Sequence, residues 1–98
     1  MITVVTPFEI PAERDAEFTA AWKAMSQVAA RLPGYRAARL HRSRGTARFR
    51  FIGLSMWDSE QSISGALADP TFAEALEALG CRSFPSVYDV AIEVTRDT

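Results

Sequence analysis

An α+β fold of element order β-α-β-β-α-β is what the apolar spacing of this chain predicts. Three observations carry that reading. Apolar residues alternate with a period of two at both ends of the chain. Two stretches repeat apolar residues at three- and four-residue spacing, and between them two extended segments, 35–43 and 47–57, fold about Arg44-Gly45. Ninety-eight residues leave room for a single core, so one domain is expected over residues 1–98.

Each element has its own signal. Ile2, Val4, Thr6, Phe8 and Ile10 alternate with Thr3, Val5, Pro7 and Glu9, a first strand in which Pro7 calls for an edge or a bulge. Pro11 suits the first turn of a helix, and Glu13, Asp15 and Glu17 favour a helix N-terminus. Phe18, Trp22, Met25, Ala29 and Leu32 form its apolar stripe, which Pro33-Gly34 ends. The hairpin follows, with Arg44-Gly45 at its tip. Asp58 or Ser59 can cap a helix over 60–68, and Asp69-Pro70 restarts it with Pro70 at the first position. Phe72, Ala75, Leu76 and Leu79 supply the buried stripe, and Gly80 stops it. After an irregular piece over 81–85, Tyr88, Val90, Ile92 and Val94 alternate with Asp89, Ala91, Glu93 and Thr95 in a last strand. This order is the split βαβ of a ferredoxin-like fold, an antiparallel four-stranded sheet with two helices on one face.

The second face of such a sheet needs cover. Val5 is apolar as well as Val4, Leu40 as well as Tyr35, and Ile52 and Leu54 as well as Phe49 and Phe51. A sheet apolar on both sides, in a chain too small to be robust alone, predicts a homodimer about a two-fold axis.

Composition narrows the function classes. Hydrophobic residues at 48% and charged residues at 23% are a globular balance. Cys81 is the single cysteine, so no internal disulfide forms and it reads as a structural thiol. Residues 1–7 lack a basic region and a long apolar core, and no apolar stretch reaches the ~20 residues of a membrane span, so a cytoplasmic location is expected. The net charge of −1 conceals a run without acids between Glu17 and Asp58, where Lys23, Arg31, Arg36, Arg39, Arg42, Arg44, Arg48 and Arg50 lie. Those arginines either meet acidic residues of helices or of a partner subunit, or attract an anionic, phenolate-like ligand. Nucleic acid is not expected, since the overall charge is not basic. No His/Cys/carboxylate cluster has metal-ligand spacing and no Gly-rich phosphate loop occurs, so neither metal nor cofactor is expected.

Several pieces in order resemble one family over nearly the whole length. They are the segment from Phe8 to Pro11 with its acidic helix, Phe18 and Trp22, Pro33-Gly34-Tyr35, and Leu40-His41-Arg42. The strand from Phe49 to Trp57, Trp57-Asp58-Ser59-Glu60 and Asp69-Pro70-Thr71-Phe72 complete the set. With them the chain resembles the antibiotic biosynthesis monooxygenases, dimeric α+β barrels. The resemblance implies oxidation of aromatic polyketide substrates by molecular oxygen without metal or flavin, in a pocket between sheet and helices. There a deprotonated phenol-like ring reduces oxygen directly. Anthrone-oxidising members carry an Asn four residues before the strand-end Trp and a Tyr six after it; this chain has Gly53 and Ile63 there. Haem-degrading relatives use an Asn, a Trp and a His where the nearest positions here are Thr6, Ala66 and Leu76, so haem degradation is not implied.

His41, the only histidine, is the candidate base for taking a proton from a phenol or an acidic methylene, against a plain structural role. Its orientation depends on the hairpin. A two-residue turn at Arg44-Gly45 puts it on the face of Arg48 and Arg50, whereas a three-residue loop including Thr46 puts it with Phe49, Phe51 and Trp57. Trp57 and Trp22 are candidate walls for a flat ring, each equally at home in the core. Tyr35, Phe49, Phe51, Phe72, Phe84 and Tyr88 are further candidate substrate contacts, and Arg39 or Arg50 could steady developing negative charge. The expected activity is a cofactor-independent monooxygenase on an aromatic polyketide-type substrate. A cyclase or isomerase in the same pocket, or a non-catalytic dimeric ligand-binding protein, is the alternative.

Overall fold

The computed structural model describes residues 1–97. Strand β1 (Ile2–Glu9) leads through a 3-10 turn, Ala12–Arg14, into helix α1 (Asp15–Ala29). Strands β2 (Tyr35–Arg42) and β3 (Phe51–Trp57) follow, then helices α2 (Glu60–Ala68) and α3 (Pro70–Glu77), and short strands β4 (Arg82–Ser83) and β5 (Ser86–Tyr88). The sheet runs β2-β3-β1, with β4 and β5 one after the other along the remaining edge of β1, all pairs antiparallel. This is the expected ferredoxin-like α+β fold, with its second helix broken at Asp69-Pro70.

Local chemistry sets the boundaries. The Ser59 hydroxyl accepts from the Ser62 N–H to start α2, and the Asp69 carboxylate accepts from the Phe72 N–H, with Pro70 in the first turn, to start α3. Gly34 (φ 85°) and Gly80 (φ 60°) turn the chain in the left-handed region after α1 and α3, and a side chain on Gly34 would collide with Ser62. Arg14 donates to the carbonyls of Gly80 and Leu79 at 2.9 and 3.3 Å, satisfying the end of α3 and tying it to the start of α1. Between the layers, Phe18 of α1 is fully buried, 5.0 Å from the Phe8 ring of β1 and 5.1 Å from Phe51 of β3. Burial of each such ring contributes about 1.5–3 kcal/mol, which fixes the helix layer to the middle of the sheet.

The structure departs from the sequence reading at several places, among them strand β4 within the segment 81–85 expected to be irregular. The helix does not begin at Pro11: the Arg14 N–H closes a 3-10 turn on the Pro11 carbonyl, and α1 starts at Asp15. Pro7 lies in the central strand rather than at an edge. Its carbonyl accepts from the Phe84 N–H at 3.1 Å, so its missing donor falls at the interruption between β4 and β5. The hairpin has no tight turn at Arg44-Gly45. Arg42 pairs with Phe51, the Ser43 N–H donates to the Arg50 carbonyl, and β3 begins at Phe51 instead of residue 47. The last strand ends early, at Tyr88 opposite Thr3, because β1 offers almost nothing further to pair with. Val90, Ile92 and Val94 keep their alternation but are 68%, 83% and 88% exposed.

Register assigns the faces. Val4, Thr6 and Phe8, with Gly53, Ser55 and Trp57 of β3, look toward the helices, while Val5, Pro7, Ile52 and Met56 look away. A bulge between Tyr35 and Ala37 puts Tyr35 opposite Trp57 and Leu40 opposite Gly53. Those two residues therefore share the helix side instead of marking opposite faces.

Candidate functional site

Trp22, Met25, Ser26 and Ala29 stand at i, i+3, i+4 and i+7 on α1, the spacing of one helix face. That face does not close onto the sheet along its whole length. It roofs a cavity of ≈ 410 Å³ whose floor is β1 and β3 and whose far wall is Ile63 and Ala66 of α2 with Phe72, Leu76 and Leu79. The volume falls among those of small-molecule sites, roughly 300–1,000 Å³. Among the described residues no carboxylate, imidazole, ammonium or guanidinium lines it. Its polar groups are neutral: the indole of Trp22, the hydroxyls of Thr6, Ser26, Ser55, Ser83, Ser86 and Tyr35, and the Cys81 thiol.

Trp57 is held in one orientation. Its Nε1–H donates to Ser55 Oγ at 3.0 Å, Tyr35 meets it edge-on at 5.5 Å and 89°, and Phe72 lies 6.4 Å away. Beside it, Gly53 makes room for another indole. A methyl carbon on Gly53 would lie 3.1 Å from the Phe8 ring and 3.2 Å from Trp22 Nε1, so the glycine lets Trp22 rest close over the sheet. Burial pushes the Cys81 thiol above its ordinary value, with Arg14 opposing weakly, so the sulfur stays protonated at neutral pH.

Four of the residues expected at a site come together here: Trp22, Tyr35, Trp57 and Phe72. The others lie elsewhere. Phe51 is buried in the core against Phe18, outside the cavity lining. Phe49 and Phe84 pack on each other at 5.7 Å, with Phe84 opposite Pro7 on the far side of the sheet. Tyr88 is exposed opposite Thr3 on that side. Arg39 and His41, opposite Leu54 and Ile52, are exposed there as well. His41 therefore lies on the face that a two-residue turn implies, although the loop is much wider, because the observed register has the same parity.

Three arginines of the run, with Arg82 beyond it, meet acids within the chain. Arg50 binds both carboxylate oxygens of Asp15 at the start of α1, Arg48 and Arg82 reach Glu9 at 3.0 and 3.8 Å, and Arg36 pairs with Asp58. The Arg50 guanidinium holds the Asp15 carboxyl below the usual carboxylate value. Sequence reasoning missed Ser26 and Ala66 as cavity residues. Ser26 had a readable signal, a polar residue on the apolar side of α1.

The family model for antibiotic biosynthesis monooxygenases matches residues 1–78. Among solved structures the chain is similar to SnoaB, a cofactor-independent oxygenase from Streptomyces nogalater, at TM-score 0.87 and 23% identity over 97% of both chains. A mutant form of SnoaB superposes at TM-score 0.86, with the same identity and coverage. A dimeric ferredoxin-like protein of unknown function from Jannaschia sp. CCS1 matches at TM-score 0.77 and 18% identity, over 91% of this chain and 98% of that one. No curated protein matches. The family model covers most of the chain: this protein belongs to the antibiotic biosynthesis monooxygenase family.

Proposed function

We propose that this chain is a cofactor-independent monooxygenase that oxidises an aromatic polyketide-type substrate with molecular oxygen. The observation that carries the reading is the cavity itself, large enough for a fused-ring molecule, walled by Trp22, Trp57 and Phe72, and lined by no charged group among the described residues. The SnoaB-like fold supports it. In such a space both a flat apolar ring and dioxygen leave water favourably. Oxidation of an anthrone-like methylene is then balanced by the substrate and oxygen alone. The carbon loses two hydrogens, one oxygen atom becomes the new carbonyl, and the other leaves as water. The acidic proton departs to solvent at the cavity mouth rather than to His41, which stands on the opposite face of the sheet. Neutral N–H and O–H groups of the wall hold the resulting oxyanion.

A second reading, a non-catalytic ligand-binding protein, is favoured by the lack, among the described residues, of an imidazole or carboxylate in the wall to act as a base. Oxygen consumption separates the two. Purified protein treated with chelator and given an anthrone should take up oxygen well above the blank, with the quinone formed one for one. Uptake at the blank rate across several anthrones and hydroquinones rejects the oxygenase.

The functional unit is a homodimer. Val5, Pro7, Ile52 and Met56 make the outer sheet face apolar, and Val90, Ile92 and Val94 run past the start of β1 with no strand among the described residues opposite them. A second copy, placed sheet to sheet to complete a dimeric α+β barrel, covers both.

A further inference from the structure

Ser26 Oγ is the one buried side-chain oxygen or nitrogen among the described residues that has no hydrogen-bond partner, and it is tucked against the helix while other atoms of the residue form part of the cavity wall. Inside a helix, a serine or threonine hydroxyl ordinarily turns back onto a carbonyl three or four residues earlier. Thr19, two turns before on the same helix, does so, donating to Asp15 and Ala16 at 2.9 and 3.1 Å. Ser26 does not. Leaving a hydroxyl buried and unpaired is unfavourable, and an alanine at this position of α1 would serve the helix better.

A second neutral donor stands on the same face of the helix. Trp22, one turn earlier, rests its Nε1 beside Gly53, and an indole nitrogen can only donate. The two residues are about 6 Å apart along the helix axis. With no cation in the wall, any oxygen that gains negative charge in this cavity depends on such neutral donors.

From this arrangement we infer that Ser26 is a substrate-positioning residue whose hydroxyl, on turning about the Cα–Cβ bond into the cavity, donates a hydrogen bond to a carbonyl or phenolate oxygen of a fused-ring ligand lying against Trp22. The inference rests on the reading of the cavity as a substrate chamber. It defines the ligand class more narrowly: an oxygenated polycycle is accepted and its bare hydrocarbon is not favoured.

The test compares two probes of similar shape, 1,8-dihydroxyanthraquinone and anthracene, titrated into the full-length protein while Trp22 and Trp57 fluorescence is followed. Ser26→Ala should weaken dihydroxyanthraquinone about tenfold, the size of one neutral hydrogen bond, and leave anthracene within about twofold. Ser26→Thr, which keeps the donor, should restore most of the loss. The ligand-free Ser26→Ala protein should melt at the wild-type temperature or above, because nothing in the fold uses the hydroxyl. Equal losses for both probes, no loss for either, or a lowered melting temperature each overturn the inference. Wild-type protein that binds neither probe overturns the chamber reading together with it. Selective loss in Ser26→Ala without any oxygen uptake by the wild type sinks only the oxygenase reading.

Discussion

Replacing Ala66 by leucine tests whether the space between sheet and helices is empty and used. Ala66 is buried in α2 and lines the cavity across from α1. Leucine adds three carbons, and at about 0.8 kcal/mol for each buried one they can contribute up to about 2.4 kcal/mol to the ligand-free protein. In a filled core the same change forces overpacking and costs about 1–3 kcal/mol. A cavity of ≈ 410 Å³ takes the added side chain without strain, so ligand-free stability should hold or rise. For a chain of this length each 1 kcal/mol moves Tm by roughly 4–8 °C, which a thermal melt resolves easily. Oxygen uptake with an anthrone, and binding of a fused-ring probe, should fall at least about tenfold as the chamber shortens. A variant destabilised by about 2 kcal/mol that still turns over at the wild-type rate would refute both parts of the reasoning.

Three further outcomes follow from the geometry. His41→Ala should leave oxygen uptake within about twofold of wild type, because the imidazole is on the sheet face away from the cavity; a loss of about a hundredfold would restore it as the base. Asp15, held below its ordinary value chiefly by its hydrogen bonds to Arg50, gives stability that is present above pH 3.8 and lost as pH falls through the lowered value. In Asp15→Asn, melting temperature should therefore depend less on pH in that acid range, and an unchanged acid limb counts against the pair. Replacing Val90, Ile92 and Val94 together with serine should shift sedimentation from dimer toward monomer while the single-chain core stays folded. A variant that remains fully dimeric removes the tail from the interface.

Much of this fold is legible in the sequence because local signals and tertiary demand agree. The cap at Ser59, the restart at Asp69-Pro70 and the stop at Gly80 fall where the residue types require them. The stripe of α1 likewise named Phe18, Met25 and Ala29 for burial. What the sequence could not supply was register. Arg50 and Arg48 are drawn to Asp15 and Glu9, and Phe49 to Phe84, so the side chains of residues 48–50 turn from the hairpin to the neighbouring strand and helix and the ladder ends at Arg50. Those partners are distant in the chain, and no turn residue announces them. One bulge at Arg36 then decided which face Tyr35 occupies. The candidate site inherits both effects: Tyr35 joins the cavity, whereas Arg39 and His41 are directed away from it. The exposure of Val90, Ile92 and Val94 was unreadable for a different reason, since alternation specifies a strand without saying whether the same chain supplies its neighbour.

The location of the ligand is the most direct measurement. A crystal of the protein soaked with 1,8-dihydroxyanthraquinone should show the ring system between Trp22, Trp57 and Phe72, with an oxygen within hydrogen-bond distance of Ser26 Oγ. Density for the ring on the outer sheet face beside His41 and Arg39, with the space under α1 filled by side chains, would contradict it.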